Sequence, residues 1–327
     1  MLARHLTVTG SDTMQVRKTE LGAPTRGEAI VRVEAAGVSY GDILLRKRVI
    51  PGSPKPPFTP GYDFAGVVEE TGEDVALRPG QAVAALVPTG GYSQHVKVAA
   101  DRLVPRPDGA SAVESSAIAL NYFIAYQMLH RVAKVQPGQR IMVHGASGGV
   151  GVAFLQLAQL ANVEAYGSAS AGKLDVVRKY GGTPIDYRAQ NFVDVLRGNP
   201  VDAVFDAIGG AHFNRSSSVL RRGGIMVGYG QSAALVRGKS NMLIGARGFL
   251  GGIVLPKIVP NGKRTTFYNA WSLDDAAYRE DLASVLGLLA AGKVEPLIAK
   301  TVPLDEAARA QRELEDGAVT GKIVLVP

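Results

Sequence analysis

A glycine-rich turn separates a short apolar run from a long one in the middle of the chain. The turn reads His144-Gly-Ala-Ser-Gly-Gly-Val-Gly151, and an apolar helical pattern extends from it to Ala161. A strand that turns through glycines into a helix presents free backbone N–H groups to an anion, and the helix dipole adds partial positive charge there. Residues without bulky side chains also let a pyrophosphate approach the backbone. The pattern predicts a dinucleotide site. The turn residues assigned to this site are Ala146, Gly148, Gly149, Val150 and Gly151.

The residues at the end of the second strand indicate which dinucleotide binds. A chain that binds NAD places Asp or Glu there, about 20 residues past the glycines, to hold the ribose 2′-hydroxyl. In this chain Glu164 comes too early, near the start of the strand, and small residues follow it. Small hydroxyls and a lysine suit a dianionic 2′-phosphate, which a carboxylate would repel. NADPH is therefore the predicted cofactor. The residues predicted to surround its 2′-phosphate are Ser168, Ser170, Lys173, Tyr187 and Arg188.

Three stretches with different rhythms position these residues. Residues 1–118 alternate apolar and polar side chains over short runs punctuated by Gly and Pro, which is typical of a β-rich domain. Residues 119–262 repeat strand and helix patterns, which indicates a doubly wound parallel sheet. The strand candidates are 140–144, 163–167, a short one around 183–185, 202–206, 224–228 and 246–250. Beyond 263 come two helices, at 275–291 and 305–316, and a strand over Lys322–Val326. We expect this last strand to return to the first domain, because it has no place in the order of the parallel sheet.

Composition excludes several classes of function. The chain has 327 residues, of which 46% are hydrophobic and none is cysteine. It is long enough for two domains, and its apolar segments are too short to span a bilayer. The absence of cysteine excludes disulfides and cysteine-ligated zinc, and it predicts a cytoplasmic location. The net charge of +7 is spread along the chain without an RNA-binding signature, so we expect an anionic cofactor rather than nucleic acid.

Six segments, spaced from one end of the chain to the other, carry a family pattern. They are Ala36–Asp42, Pro60–Val67, Leu120–Tyr126, the glycine turn, Val204–Gly209 and Gly321–Leu325. In this order they resemble the medium-chain dehydrogenase/reductase superfamily, in its zinc-free quinone oxidoreductase-like branch. The resemblance implies an α/β fold with a GroES-like catalytic domain of residues 1–118 plus 263–327 and an inserted Rossmann domain of residues 119–262. It also implies a homodimer.

The chain departs from the zinc alcohol dehydrogenases of this superfamily at the metal-ligand positions. Ser39 stands where those enzymes carry Cys, and Tyr62-Asp63 stands where they carry a His-Glu pair. The remaining histidines show no paired metal spacing, so no metal is expected. Without a Lewis acid, removing a proton from a simple alcohol while a hydride leaves is difficult. Hydride addition to a conjugated substrate avoids this, because hydrogen-bond donors can stabilise the charge that moves onto oxygen.

The resemblance places a substrate-side loop at Ser39, Tyr40 and Asp42, and it places Asn121 where the chain enters the cofactor domain. We expect the site in the cleft between the domains, near the carboxyl ends of the sheet strands. Tyr40 is the predicted donor to a developing enolate, or the source of its proton; the alternative is that Tyr40 only packs. Asp42 is either catalytic or a capping residue of the loop. Quinone reductases of the branch usually carry Asn in place of Ser39 and often Thr in place of Ile124.

Three functions remain open on the sequence. The first is an NADPH-dependent reductase of quinones or other α,β-unsaturated carbonyl compounds. The second is a reductase of enoyl thioesters of CoA or a carrier protein, in which Arg46-Lys47-Arg48 would hold phosphates unless this cluster is a solvated loop. The third is an NADPH-binding accessory protein without turnover.

Overall fold

The computed structural model describes residues 1–10, 13–259, 261–272 and 275–327, which form two compact units. The β-rich unit contains Met1–Arg46, Gly52–Phe123 and Trp271–Pro327, and the parallel-sheet unit contains Lys47–Pro51 and Ile124–Ala270. The boundaries expected from sequence, after residues 118 and 262, lie a few residues before the points where these units exchange. Among the described residues, no helix combines the length and the apolar character needed to cross a bilayer.

The strands and helices are numbered along the chain. The N-terminal part contains β1 (Leu2–Val8), β2 (Met14–Glu20), β3 (Glu28–Val38), α1 (Tyr40–Arg46), β4 (Asp63–Thr71), β5 (Ala82–Leu86), β6 (His95–Ala99), β7 (Val104–Pro105) and α2 (Ala112–Tyr126). The middle part contains β8 (Arg140–His144), α3 (Gly149–Leu160), β9 (Glu164–Ala169), α4 (Leu174–Lys179), β10 (Thr183–Asp186), α5 (Phe192–Val195), β11 (Val201–Asp206), α6 (His212–Ser218), β12 (Leu220–Gly228), β13 (Leu235–Val236), β14 (Lys239–Ser240), α7 (Met242–Phe249), α8 (Leu255–Ile258) and β15 (Arg264–Phe267). The C-terminal part contains α9 (Asp275–Ala290), β16 (Ile298–Pro303), α10 (Ala307–Glu315) and β17 (Lys322–Val326).

The sheet of the β-rich unit is built around β3. Its strand order is β16-β17-β3-β4-β5-β7, and β6 also pairs with β3. Alternate residues of β3 and β4, among them Val31, Val33 and Phe64, are buried in one hydrophobic core, as expected for strands whose side chains point to opposite faces with period two. The C-terminal strand β17 pairs antiparallel with β3. The predicted return of this strand to the first domain is therefore confirmed.

A buried ion pair holds the C-terminal strand in this sheet. The Lys322 ammonium group, at the start of β17, lies 2.8 Å from a carboxylate oxygen of Asp63, at the start of β4. Both side chains are buried, and β3 runs between their strands. At Gly37 of β3 an added Cβ atom would lie 2.2 Å from the Lys322 side chain. The glycine therefore makes room for the ion pair to pass over β3.

The parallel-sheet unit has the architecture that the strand and helix repeats predict. Among the described strands the order is β10-β9-β8-β11-β12-β15, and every neighbouring pair is parallel. Counted along the chain this is the order 3-2-1-4-5-6 of a Rossmann sheet. Residues such as Met142, Val143 and Val204 are fully buried, because helices cover both faces of such a sheet. The α/β fold class with a Rossmann sheet is confirmed.

One predicted strand, 246–250, is wrong. These residues lie in α7 and the π-helical turn that follows it, and the sixth strand of the sheet is β15 instead. The Asn241 side chain caps the helix by accepting a hydrogen bond from the Ile244 N–H group. Gly248 seats the helix, since a Cβ atom there would lie 2.3 Å from Gly210. A short apolar run does not distinguish a strand from a helix by periodicity alone.

Replacing Lys322 with methionine should destabilise the protein strongly. The substitution leaves the Asp63 carboxylate buried without its partner, which costs about 3–5 kcal/mol in comparable cases. The measurement is urea denaturation followed by circular dichroism. The matched control is Lys300→Met on the neighbouring strand β16, where the ion pair with Glu313 is partly exposed and should contribute about 0–1 kcal/mol. Equal losses in the two variants would contradict a special role for the buried pair.

Candidate dinucleotide site and catalytic loop

The glycine turn offers backbone N–H groups at the carboxyl end of β8. The strand ends at His144 and α3 begins at Gly149, with Gly148 as its N-cap residue. Glycine has no side chain with which to cap these groups, and the first N–H groups of a helix have no acceptor within the helix. In α3 these groups belong to Gly149, Val150 and Gly151. Together with the helix dipole they suit the pyrophosphate of a dinucleotide.

Ala146 has a packing function in this turn. An added Cβ atom at Gly151 would lie 2.5 Å from the Ala146 Cα atom, and one at Gly167 of β9 would lie 2.6 Å from the Ala146 Cβ atom. Ala146 is fully buried between these two glycines. The helix can therefore approach both strands closely, which is the purpose of the last glycine in such a motif. An alanine in place of the first glycine is compatible with the turn.

The predicted 2′-phosphate residues fall into two groups in the structure. Ser170 and Tyr187 directly follow Ala169 and Asp186, which pair at the carboxyl ends of β9 and β10. The Lys173 N–H group donates to the Ser170 carbonyl oxygen over 2.8 Å, so the lysine lies in the same turn. Burial lowers the pKa of the Lys173 ammonium group. These residues meet at one edge of the unit, where Arg188 stacks over the Tyr187 ring at 5.8 Å.

Ser168 points elsewhere. Its side chain is buried, and its hydroxyl oxygen lies 3.1 Å from His144 Nδ1 and 3.4 Å from the Gly145 nitrogen. These contacts direct the hydroxyl beneath the glycine turn and away from the group formed by Ser170, Lys173 and Tyr187. The sequence pattern cannot distinguish the two directions, because both serines lie in or next to the same strand end.

A polar cluster, which spacing along the chain did not predict, lies beside Ser168. It consists of His144, Asp206, His212 and Ser216. The two histidine rings are 4.4 Å apart, and His144 Nε2 lies 3.1 Å from the Ser216 hydroxyl. Asp206 Oδ2 accepts hydrogen bonds from the Ser216 hydroxyl at 2.6 Å and from His212 Nδ1 at 2.7 Å. A signal was present: His144 and Asp206 end adjacent buried parallel strands, and such ends meet at one edge of the sheet.

Burial and hydrogen bonding set the charges of this cluster. Burial raises the pKa of Asp206, but the hydrogen bond from His212, the nearby histidines and Ser216 outweigh it and lower the pKa to about 2. Burial lowers the pKa of His144 to about 3. At neutral pH the aspartate is therefore ionised and the His144 imidazole is neutral. Ligand atoms of His144, Asp206 and His212 lie within 4.8 Å of one another, close enough to surround a cation. The Ser216 hydroxyl contacts all three side chains.

The predicted catalytic loop lies in the β-rich unit, where Ser39 and Asp42 cap α1. The Ser39 N–H and hydroxyl groups each donate to Asp42 Oδ2 over 2.9 Å, and the Asp42 N–H group donates to Ser39 Oγ over 3.2 Å. This reciprocal arrangement is a capping box with aspartate at its last position. The Ser39 hydroxyl is thereby committed to the start of the helix.

Asp42 has a positioning role in the structure. It is fully buried and also accepts hydrogen bonds from the Gly61 N–H group and the Tyr92 hydroxyl. Burial raises the pKa of its carboxyl group to about 6, although the hydrogen bonds from Ser39 lower it. The capping alternative therefore describes its surroundings better than the catalytic one. Asn121, the other predicted site residue of this unit, is buried on α2.

Tyr40 presents an available hydroxyl donor. It is the first residue of α1 and is partly exposed. Among the described residues, its hydroxyl group forms no hydrogen bond. Burial, and then the negative charge of Glu315, raise its pKa. The neighbouring charge thus makes Tyr40 a weaker acid than free tyrosine, so the hydroxyl stays protonated at neutral pH and can donate to an oxygen that gains charge.

The side chains at the metal-ligand positions of the zinc enzymes have other contacts. Tyr62 stacks on Trp271 with ring centroids 5.9 Å apart. Asp63 forms the ion pair with Lys322, and Ser39 caps α1. None of these three contacts leaves a thiolate or imidazole, the ligands that zinc prefers.

Arg46 is neither a phosphate ligand nor part of a solvated loop. Its guanidinium group is buried, donates to the Gln311 amide oxygen over 2.9 Å and pairs with Glu315 at 3.4 Å. The expected phosphate clamp Arg46-Lys47-Arg48 is therefore wrong at its first residue. The reason is that the basic run begins in the last turn of α1, whose inner face packs on α10.

Comparisons with known proteins agree with this architecture. Residues 25–108 match the family model described as alcohol dehydrogenase GroES-like domain, and residues 182–325 match the one described as zinc-binding dehydrogenase. The synaptic vesicle membrane protein VAT-1 homolog of Rattus norvegicus is 31% identical over 324 residues, which cover 96% of this chain and 80% of that protein. The Danio rerio homolog is 32% identical, and the match spans 66% of its length.

Two further similarities concern enzymes. The crystal structure of Escherichia coli quinone oxidoreductase complexed with NADPH superimposes with a TM-score of 0.86 at 25% identity, and the match covers 99% of this chain and all of that one. One chain of the phenolphthiocerol/phthiocerol polyketide synthase of Mycobacterium tuberculosis is 30% identical over 321 residues, which are 96% of this chain and 14% of that protein.

Replacing Lys173 with alanine should weaken NADPH binding and leave NADH binding unchanged. Loss of a charged hydrogen bond to phosphate costs about 1.5–3 kcal/mol, so the dissociation constant for NADPH should rise roughly tenfold to more than a hundredfold. Fluorescence titration with both cofactors measures the effect. The control is Lys179→Ala on the neighbouring helix α4, where the ammonium group lies over the Tyr180 ring. Equal NADPH affinity in wild type and Lys173→Ala would remove Lys173 from the site.

Proposed function

Because the chain belongs to the medium-chain dehydrogenase/reductase superfamily, in its quinone oxidoreductase-like branch, we propose that it is an NADPH-dependent reductase of quinones or other α,β-unsaturated carbonyl compounds and that it works without zinc. The observation that supports this most is the chemistry of the catalytic loop. Ser39, Tyr62 and Asp63 are committed to a helix cap, a ring stack and an ion pair, whereas Tyr40 offers a protonated hydroxyl.

The residues of the parallel-sheet unit suit the proposed cofactor. The N–H groups of Gly149, Val150 and Gly151 would hold the pyrophosphate, and Lys173 with Ser170 and Tyr187 would hold the 2′-phosphate. When bound, NADPH supplies the hydride. The glycine positions fit this group because Cβ atoms would close the turn, as the close approach at Gly151 indicates.

The catalytic loop would stabilise the charge that reduction creates. Hydride addition to a conjugated alkene or a quinone moves negative charge onto the substrate oxygen. The Tyr40 hydroxyl would donate a hydrogen bond to that oxygen, which is the role of an oxyanion hole. Ser39 and Asp42 would fix the start of α1 and so orient Tyr40. The raised pKa of Tyr40 favours hydrogen bonding over complete proton transfer from its hydroxyl.

Two other functions have some support. The similarity to a polyketide synthase chain favours reduction of enoyl thioesters, although the burial of Arg46 removes one of the residues expected to bind their phosphates. The similarity to VAT-1 homologs, which are named as synaptic vesicle membrane proteins, favours an accessory protein that binds NADPH without turnover. A panel of quinones, enones and enoyl-CoA, monitored by NADPH absorbance at about 340 nm, separates the three. Turnover of quinones or enones supports our proposal, exclusive turnover of enoyl-CoA favours the second function, and NADPH binding without turnover favours the third.

We also propose a homodimer. The strand β15 lies at an edge of the parallel sheet, and the preceding helices expose large apolar side chains. Examples are Met242 at 68%, Leu250 at 59% and Ile258 at 71% exposure. Clustered exposed apolar residues of this kind mark interaction surfaces. Light scattering should give about twice the 34.4 kDa of one chain, and Ile258→Glu should lower that mass; a monomeric wild type would contradict the proposal.

Activity should survive exhaustive dialysis against EDTA. The prediction follows from the side chains at the zinc-ligand positions, which provide no thiolate or imidazole. Turnover is measured before and after dialysis, with metal analysis of the same samples. Loss of turnover that zinc restores would overturn the metal-free mechanism.

Replacing Tyr40 with phenylalanine should lower kcat for alkene reduction about 10- to 1000-fold, the range for a group that donates to transition-state charge and supplies a proton. Because such a donor acts in the transition state, kcat and kcat/KM should fall together while NADPH affinity stays nearly unchanged. The effect should be smaller for quinones, whose reduced oxygens can take protons from water. Reduction of enones at the wild-type rate would leave Tyr40 a packing residue.

A further inference from the structure

A continuous chain of hydrogen bonds connects Asp206 to the glycine turn. It runs from Asp206 to the Ser216 hydroxyl at 2.6 Å, then to His144 Nε2 at 3.1 Å. From His144 Nδ1 it continues to the Ser168 hydroxyl at 3.1 Å and then to the Gly145 nitrogen at 3.4 Å. His144, Ser168, Asp206 and Ser216 are all buried. The mechanism proposed above uses neither His144 nor Asp206.

The direction of every bond in the chain follows from its first member. An ionised carboxylate only accepts hydrogen bonds, so the single proton of the Ser216 hydroxyl is donated to Asp206. The Ser216 oxygen therefore accepts from His144 Nε2–H. A neutral imidazole carries one N–H group, so His144 Nδ1 is an acceptor and the Ser168 hydroxyl donates to it. The Ser168 oxygen is then left to accept the Gly145 N–H group.

Asp206 also fixes a second loop. Its Oδ1 atom accepts hydrogen bonds from the Ile208 and Gly209 N–H groups at 2.7 and 3.1 Å. These residues follow β11, which is the immediate neighbour of β8 in the sheet. One buried carboxylate thus orders the loops that leave two adjacent strands, at the edge where parallel sheets bind ligands.

We propose that His144 is a positioning residue for the pyrophosphate, and that Ser168 serves the glycine turn instead of the 2′-phosphate pocket. Through Ser216 and Ser168, His144 links Asp206 to Gly145 and so holds the turn in the shape that presents its N–H groups. This inference rests on the proposed function, since it assumes that the turn binds a dinucleotide. It separates two recognition elements: the hydrogen-bonded chain for the 5′-phosphates, and Lys173 with Ser170 for the 2′-phosphate.

Two small ligands test this separation. ADP carries a 5′-diphosphate and no 2′-phosphate, whereas 2′-AMP carries only the 2′-phosphate. The variants are His144→Gln, which keeps a donor near the Nε2 position, and His144→Asn, which keeps an acceptor near the Nδ1 position. Each variant breaks one half of the chain. Dissociation constants are measured by calorimetry or ligand-observed NMR for ADP, 2′-AMP, NADPH and NADH.

Both His144 variants should raise the dissociation constants for ADP, NADPH and NADH by about 3- to 10-fold, the loss expected for one hydrogen bond. The constant for 2′-AMP should change less than about twofold. Lys173→Ala should show the opposite pattern, with 2′-AMP weakened and ADP unchanged. A loss of folding would weaken both ligands, so unchanged 2′-AMP binding also reports that each variant is folded. Ser216→Ala should match the His144 variants, and combining it with His144→Gln should add little, because the two residues act in one chain.

Three results would overturn the inference. Unchanged ADP binding in the His144 variants would show that the chain does not position the turn. An equal loss of 2′-AMP and ADP in a folded variant would return Ser168 to the 2′-phosphate pocket. Stoichiometric Zn²⁺ binding by the wild type that His212→Ala abolishes would make the cluster a metal site. If the wild type binds neither ADP nor NADPH, the proposed function itself fails, which is distinguishable from the other outcomes.

Discussion

An ionised carboxylate can be buried only if donors surround it, and this requirement shapes both candidate sites. Loss of hydration by a buried charge is costly unless hydrogen bonds replace it. Asp42 meets the requirement with Ser39, the Gly61 N–H group and Tyr92. Asp206 meets it with His212, Ser216 and the N–H groups of the loop that follows β11. In each unit the donors belong to the loop that the proposed reaction uses, so burial of the acid determines the conformation of the site.

Missing Cβ atoms are the second condition for these arrangements. Gly37 leaves space for the Lys322–Asp63 ion pair, and Gly151 and Gly167 let α3 and β9 close around Ala146. At each position a Cβ atom would approach another heavy atom to 2.6 Å or less, which is well inside van der Waals contact. The close approaches bring charged or polar groups together where side chains would separate them. The glycine content of the chain is therefore a requirement of packing as well as of turns.

Features with agreeing local signals could be predicted from the sequence. The strand β8, the glycine turn and α3 were predicted within a few residues, because an apolar run, glycines and a helical period coincide there. The segment 246–250 failed because its apolar residues suit a helix as well as a strand, and Asn241 decides the matter through one capping bond. The direction of Ser168, the burial of Arg46 and the meeting of His144 with His212 depend on contacts between distant parts of the chain. Local pattern carries no information about such contacts.

The two buried aspartates differ in charge stability although both are enclosed by donors. The pKa of Asp42 is raised to about 6, because burial dominates and the charge of Asp63 adds to it. The pKa of Asp206 is lowered to about 2, because the hydrogen bond from His212, the neighbouring histidines and Ser216 together outweigh burial. Asp206 is therefore a firmly ionised acceptor across the neutral range, and only such an acceptor imposes a single direction on a chain of hydroxyls and an imidazole. Asp42 lies much closer to its titration point, and its capping bonds do not require a full charge. The difference fits a positioning network in the parallel-sheet unit and a simple helix cap in the β-rich unit.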